Sequence, residues 1–401
     1  GVFRYDPVAK KLGELVAQHP RFDMGADAYG TAVPGPLRDP KTGDVIGFRV
    51  RAEKPETVWT DERYQRLQRM IDAALPGTSN VFTRTPDGDR LIVTSVSDVQ
   101  PTRWYLLDEK SKTMEELFAS RPWISSEQLT EMRPFNFKTS DGLEILSYYF
   151  LPRGHKAGER LPTVVHIHGG PFVRADAWGR WSFGVREAQL LASRGYAVIL
   201  PNFRITPGLG SKIFYSGFGA YGRQMVQDHV DAAKWGIAQG FVDPARICIS
   251  GASYGGSAVL MSMAQAPEVF KCGVAGLVVS DKKMQLTSSV TDFAREESAV
   301  KYWLKVLGAE STSTIPAIVS PVNYAEKIKG PILMYAGVED LRTPIEQTRA
   351  IQSALERTGN RPKAMVVKAE EGHGFGKLEN TVDLYNQMFK FLEEHIGGGK
   401  R

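Results

Sequence analysis

Two cysteines in 401 residues are too few for a disulfide framework. Cys248 and Cys272 each lie in an apolar stretch, RICIS and KCGVAGLVV, and read as small buried thiols. No apolar run approaches the roughly 18 residues that a membrane span needs, so no membrane partner is expected. There is also no cluster of one charge sign. The net charge is +5, but Lys and Arg are scattered among Asp and Glu, which argues against a nucleic-acid partner. Neither an initiator Met nor a signal sequence opens the chain. Gly1-Val2-Phe3-Arg4-Tyr5-Asp6-Pro7 reads as a cut, and it assigns no compartment, cytoplasmic or periplasmic. Clean internal repeats are missing too.

What is there is the composition of a globular chain, 42% hydrophobic and 24% charged, long enough for two domains. Two textures meet near residue 134. Residues 1–133 carry short strand-like runs at 45–53, 80–85, 90–97 and 102–110, with a tight turn expected at Thr85-Pro86-Asp87-Gly88-Asp89. A helical spacing of Tyr64, Leu67, Met70, Ile71 and Leu75 interrupts them. Strands at such intervals suggest β-propeller blades. Residues 134–401 alternate apolar strands (163–168, 196–202, 246–252, 274–279, 331–337, 364–369) with amphipathic segments (183–194, 224–239, 254–265, 345–358, 381–395). That pattern predicts an α/β fold, a mostly parallel doubly wound sheet covered on both faces, with its chemistry at the carboxyl ends of the strands.

Three residues meet that requirement. Ser253 lies in Gly251-Ala252-Ser253-Tyr254-Gly255-Gly256, a G-x-S-x-G elbow between a strand and a helix, and is the expected nucleophile. Asp340 follows strand PILMYAG, and His373 follows strand AMVVKA inside Gly372-His373-Gly374. The order Ser, Asp, His is that of an α/β-hydrolase triad, with the imidazole as base and the carboxylate orienting it. Glu339 is the rival to Asp340, but consecutive side chains point apart and only one can reach the base. Among the other histidines, His155, His229 and His395 are expected on loop or helix surfaces, His19 in the front region, and His166 packed in its strand. His168-Gly169-Gly170-Pro171 ends the first strong strand, and an oxyanion hole is expected from the amides of Tyr254 and Gly170. No metal or organic cofactor is implied, since His166 and His168 at i, i+2 on a strand face opposite ways.

HGGPF (168–172), PNFR (201–204), GFVDPARI (240–247), GASYGG (251–256), SPVNYAEKIKGPIL (320–333) and EGHGF (371–375) together resemble the catalytic domain of the prolyl oligopeptidase family of serine peptidases. The branch they are most similar to is that of acylaminoacyl-peptidases and dipeptidyl-peptidase-like enzymes. The resemblance implies an eight-stranded hydrolase sheet (134–401), the same triad and oxyanion hole, short peptides as substrates, and a β-propeller ahead of the catalytic domain. Residues 1–133 resemble only the last two or three blades, so the propeller reads as incomplete. A companion propeller fragment or a homo-oligomer would complete it. Carboxylesterase activity from the same triad, or a catalytically silent propeller interaction protein, are the rival readings. Three departures stand out: Ser257 where the family usually has Tyr, AGVEDLRTP in place of HGxxDxxVP, and no aromatic residue in Ser280–Leu286, a stretch that often lines the substrate pocket.

Overall fold

The computed structural model describes residues 1–24, 35–85 and 88–398. The front of the chain folds into three antiparallel sheets. β1 (Val2–Asp6) pairs with β2 (Lys11–Ala17), and β3 (Pro36–Arg38), β4 (Val45–Arg51) and β5 (Pro55–Trp59) form the second sheet. β6 (Ser79–Arg84), β7 (Arg90–Val96), β8 (Arg103–Asp108) and β9 (Thr113–Ala119) form a four-stranded meander, the size of one propeller blade. Of the turn expected at residues 85–89, Pro86 and Asp87 lie outside the described residues; the strands on either side pair antiparallel.

Helix α1 (Glu62–Ala74) begins where Asp61 accepts hydrogen bonds from the amides of Arg63 and Tyr64, and it buries Tyr64, Leu67 and Ile71. Met70, expected on the same face, is exposed. The buried face meets Ile46, Phe82, Leu91, Val93 and Leu107 in a core of its own, with the Trp59, Tyr64 and Phe82 rings stacked.

From β10 (Arg133–Lys138) the chain builds one eight-stranded sheet. β11 (Glu144–Phe150), β12 (Leu161–Ile167), β13 (Ala197–Leu200), β14 (Val242–Ala252), β15 (Cys272–Gly276), β16 (Ile332–Gly337) and β17 (Ala364–Lys368) complete it in the order β10-β11-β13-β12-β14-β15-β16-β17. β10 and β11 are antiparallel, and β12 to β17 run parallel. Every residue of β12, β13, β15 and β16 is buried, which is why these segments read as continuous apolar runs. The helices are α2 (Phe183–Ala192), α3 (Ser211–Tyr215), α4 (Gln224–Ala238), α5 (Tyr254–Gln265), α6 (Lys282–Thr287), α7 (Glu297–Leu307), α8 (Ile345–Arg357) and α9 (Leu378–Ile396).

After β13 the chain crosses to the far side of β12 to form β14. This reversal of winding opens a crevice at the carboxyl ends of the strands, the usual ligand site of such sheets. Residues of the two regions also share a core: Phe48 and Val50 of β4 pack into the same cluster as Tyr148, Phe150 and Trp178.

The cysteines depart from expectation. Cys248 of β14 and Cys272 of β15 are register partners, 4.7 Å apart at Cα, and they are joined as a disulfide instead of being separate thiols. The apolar texture around each was legible, but their adjacency is a product of strand order.

Candidate active site

The elbow after β14 is shaped by close approach. A Cβ on Gly251 would lie 2.6 Å from the Ile167 carbonyl oxygen, and one on Gly255 would lie 2.1 Å from it, so α5 can leave β14 this tightly only past glycines. Ser253 at the bend has φ 63° and ψ −122°, a conformation rare for a residue with a side chain. It is held by a hydrogen bond from its amide to the Gly276 carbonyl (3.0 Å). Helix α5 runs away beneath it, buried along Tyr254–Ala264, with its positive end at the serine.

The loop after β12 passes directly beside it, and a Cβ on Gly169 would stand 3.3 Å from Ser253 Cβ. Gly170 has φ +121°. Among the described residues its amide donates to no backbone carbonyl, and the amide of Tyr254, first in α5, has no intrahelical acceptor.

On the other side, Asp340 and His373 follow β16 and β17, and His373 Nδ1 bonds Asp340 Oδ2 at 2.8 Å. The Asp340 side chain is buried, while Glu339 points to solvent. Burial pushes the Asp340 carboxyl up, but the hydrogen bond and charge of His373 and the bonds from Thr343 outweigh it, and the net shift is downward. Ser253 and His373 are not hydrogen-bonded to each other; such contacts commonly tighten only with substrate present.

Thr343 was not anticipated. Its hydroxyl donates to Asp340 Oδ2 (2.7 Å), while its amide and that of Arg342 donate to Oδ1 (both 2.8 Å). The signal was present in Asp340-Leu341-Arg342-Thr343, the spacing at which an Asp side chain captures the amides two and three residues on.

The histidines divide differently from expectation. His166 is packed, with Nδ1 2.7 Å from Glu187. His168 is buried against Phe203, ring centroids 4.5 Å apart, and burial lowers its pKa. His229, expected at a surface, is fully buried on the inner face of α4 against Phe203 and Tyr254, and desolvation lowers it to about 3. The apolar neighbours Met225, Val226, Val230 and Ala233 carried that signal.

The glycine loop is tied to the front region. Arg174, four residues past Gly170 and buried, donates to the carbonyls of Arg51 (2.9 Å) and Ala52 (3.4 Å) and to the Tyr148 hydroxyl. A surface cavity of about 380 Å³, lined among others by Thr130, Arg153 and His155, holds none of the three candidate residues. Among the described residues no cluster of His, Cys, Asp and Glu is arranged to hold a metal ion, and no helix is long and apolar enough to cross a membrane.

The fold around this site is an α/β-hydrolase sheet preceded by blade-like β-sheets. Residues 181–399 match the model of the prolyl oligopeptidase family, and the chain belongs to that family. It is 31% identical to dipeptidyl aminopeptidase BIII of Pseudoxanthomonas mexicana over 98% of this chain and 55% of that protein. It is 26% identical to the acylamino-acid-releasing enzyme of Sus scrofa over 64% of this chain and 34% of that protein. The solved puromycin-hydrolyzing peptidase of Mycobacterium tuberculosis superposes with a TM-score of 0.78 at 20% identity, over 96% of this chain and 58% of that one. The chain thus spans about half the length of the curated relative it matches over almost its whole extent.

Proposed function

We propose that this chain is a serine peptidase that releases an acylated amino acid or a dipeptide from short peptides, with residues 134–401 as the catalytic unit and 1–133 as a propeller region. The observation that carries this reading is a shared position at the carboxyl ends of one sheet: a strained Ser253 after β14, beside the glycine loop, and a bonded His373–Asp340 pair on the loops after β16 and β17. The relatives named for dipeptidyl and acylamino-acid release point the same way.

In this mechanism His373 Nε2 takes the Ser253 proton as Oγ attacks the peptide carbonyl, while Asp340 holds Nδ1–H and stabilises the imidazolium. The carbonyl oxygen becomes an oxyanion, received by the amides of Tyr254 and Gly170 and favoured by the N-terminal end of α5. His373 then gives its proton to the departing amine, leaving an acyl-Ser253 ester. Water, deprotonated by the same imidazole, hydrolyses that ester and restores the serine. Thr343 keeps the Asp340 oxygens in place throughout.

The test is labelling with a fluorophosphonate together with turnover of acyl-alanyl and dipeptidyl anilides and a p-nitrophenyl ester. Ser253→Ala is expected to lose labelling and to lose turnover on the order of 10⁴ to 10⁶-fold. Asp340→Asn should cost about 10⁴-fold in kcat near neutral pH through the wrong imidazole tautomer, and Glu339→Gln far less. A labelled Ser253→Ala protein would move the nucleophile elsewhere, and ester turnover without peptide turnover would favour a carboxylesterase.

A further inference from the structure

The chain after β15 holds a buried cation that the mechanism does not use. Lys282, the first residue of α6, is 1% exposed. Its ammonium lies over the rings of Trp303 (3.9 Å to the centroid) and Tyr221 (4.7 Å) and donates one hydrogen bond, to Gln285 Oε1 at 2.9 Å. No carboxylate pairs with it among the described residues. A buried ammonium with rings and one amide oxygen for company is short of acceptors, because it carries three donors and a full charge.

Its place matters more than its burial. Tyr221 packs edge-on against Tyr254, the residue after the nucleophile, at 5.2 Å. Trp303 packs against Phe172, two residues past Gly170, at 5.0 Å, and against Phe293 at 6.0 Å. Phe293 lies under the Arg342 guanidinium (4.8 Å), beside the Asp340 loop. The two rings that hold Lys282, Tyr221 and Trp303, are therefore themselves packed against Tyr254 of the nucleophile elbow, Phe172 of the glycine loop and Phe293 beside the acid loop, and Phe172 and Phe293 are only partly buried. The aromatic residues missing from Ser280–Leu286 are supplied from distant parts of the chain, and the stretch itself contributes the polar pair Lys282 and Gln285.

In an acyl-enzyme on Ser253, the side chain of the acylated residue leaves from the carbon next to the carbonyl and faces these same flanking groups. We propose that Lys282 is a specificity residue that favours an acidic side chain, Glu or Asp, on the residue whose carbonyl Ser253 attacks. Aromatic walls accept the methylene stem, and the ammonium supplies the charge-assisted bond that the carboxylate requires. Burial alone lowers the Lys282 ammonium to about 7, and a carboxylate brought beside it favours the charged form again. The assignment rests on the acyl-enzyme reading above.

The experiment compares kcat/KM for blocked and dipeptidyl anilides that differ only in Glu, Gln or Leu at the acylated residue. Glu should exceed its neutral isostere Gln by about tenfold or more, and this ratio should fall to about one or below in both Lys282→Met and Lys282→Gln. Melting curves check that each variant is folded, and the wild-type ratio is decisive even where a variant is not. Calorimetry on Ser253→Ala then measures binding of the product dipeptides ending in Glu or Gln, which needs no turnover. A Glu preference in binding without any turnover would defeat the peptidase reading and leave Lys282 in its role. Turnover with Gln equal to or better than Glu, or a Glu preference unchanged in a folded Lys282 variant, would overturn the assignment of Lys282 alone.

Discussion

The β1–β2 hairpin and the β12–β16 layers are built from similar residues to opposite ends. Leu12, Leu15, Phe3 and Tyr5 of the hairpin are exposed, whereas no residue of β12, β13, β15 or β16 is. The front strands pair with near neighbours in sequence, by local hairpins, and most have one wet face. The central strands pair across long crossovers and are covered by helices on both sides. Strain and buried charge can be held only where packing surrounds them, and Ser253, Asp340 and Lys282 all lie in the second kind of structure. Among the described residues, the buried Arg174 joins the glycine loop to the front region through the carbonyls of Arg51 and Ala52.

The largest expected contrast between the regions is in stability. Leu333→Ala in β16 should cost about 2–5 kcal/mol, through lost burial and the cavity left behind. Leu12→Ala, at a side chain 67% exposed, should stay within about 0.5 kcal/mol. Denaturant midpoints measure both, and equal losses would mean that the hairpin face is covered in solution.

A smaller effect should follow from cutting the link between the regions. Arg174→Met removes the bonds to Arg51, Ala52 and Tyr148 and lets the glycine loop shift. A loss in kcat on the order of 10- to 100-fold, with KM changing less, is expected from misplacing an oxyanion donor. If kcat holds while only the melting temperature falls, Arg174 is a fastener of the two regions and nothing more.

The smallest effect is in pH dependence. Asp340 has its folded pKa depressed, so it adds stability above the usual carboxylate pKa of an unfolded chain, and that contribution is lost as pH falls through the folded value. The stability of the wild type relative to Asp340→Asn should therefore decline as pH falls below about pH 4. A difference that holds unchanged to pH 3 would show that the carboxylate is not preferentially charged in the folded protein.

Much of the site is made of local signals. The elbow needs Gly251 and Gly255 within two residues of Ser253 because two backbone segments pass at contact distance there, and such a need is written in adjacent letters. Asp340 stands just past β16, a run buried on both faces, and His373 just past β17, a short apolar run at the sheet edge. β1, β2 and β9 have no such run, since their exposed residues follow no period; β10 mixes charge into a short alternation, and β11 opens on Glu144 and has its apolar run broken by Ser147. Thr343 left a faint trace in its spacing from Asp340.

The sequence by itself determined where the parallel strands and five of the helices, α2, α4, α5, α8 and α9, lie, that the turn at Ser253 is tight, and which three side chains stand at strand ends in hydrolase order. Each of those is a property of a short window, in which backbone sterics or hydrophobic periodicity leaves a residue-level mark. Only the tertiary structure decided that Cys248 faces Cys272, that His229 is buried against Tyr254, that Arg174 fastens the glycine loop to β4, and that the Tyr221 and Trp303 rings meet at Lys282 with Phe172 packed on Trp303. These contacts join positions 21 to 131 residues apart, and they follow from the order and packing of the elements, which no local pattern encodes.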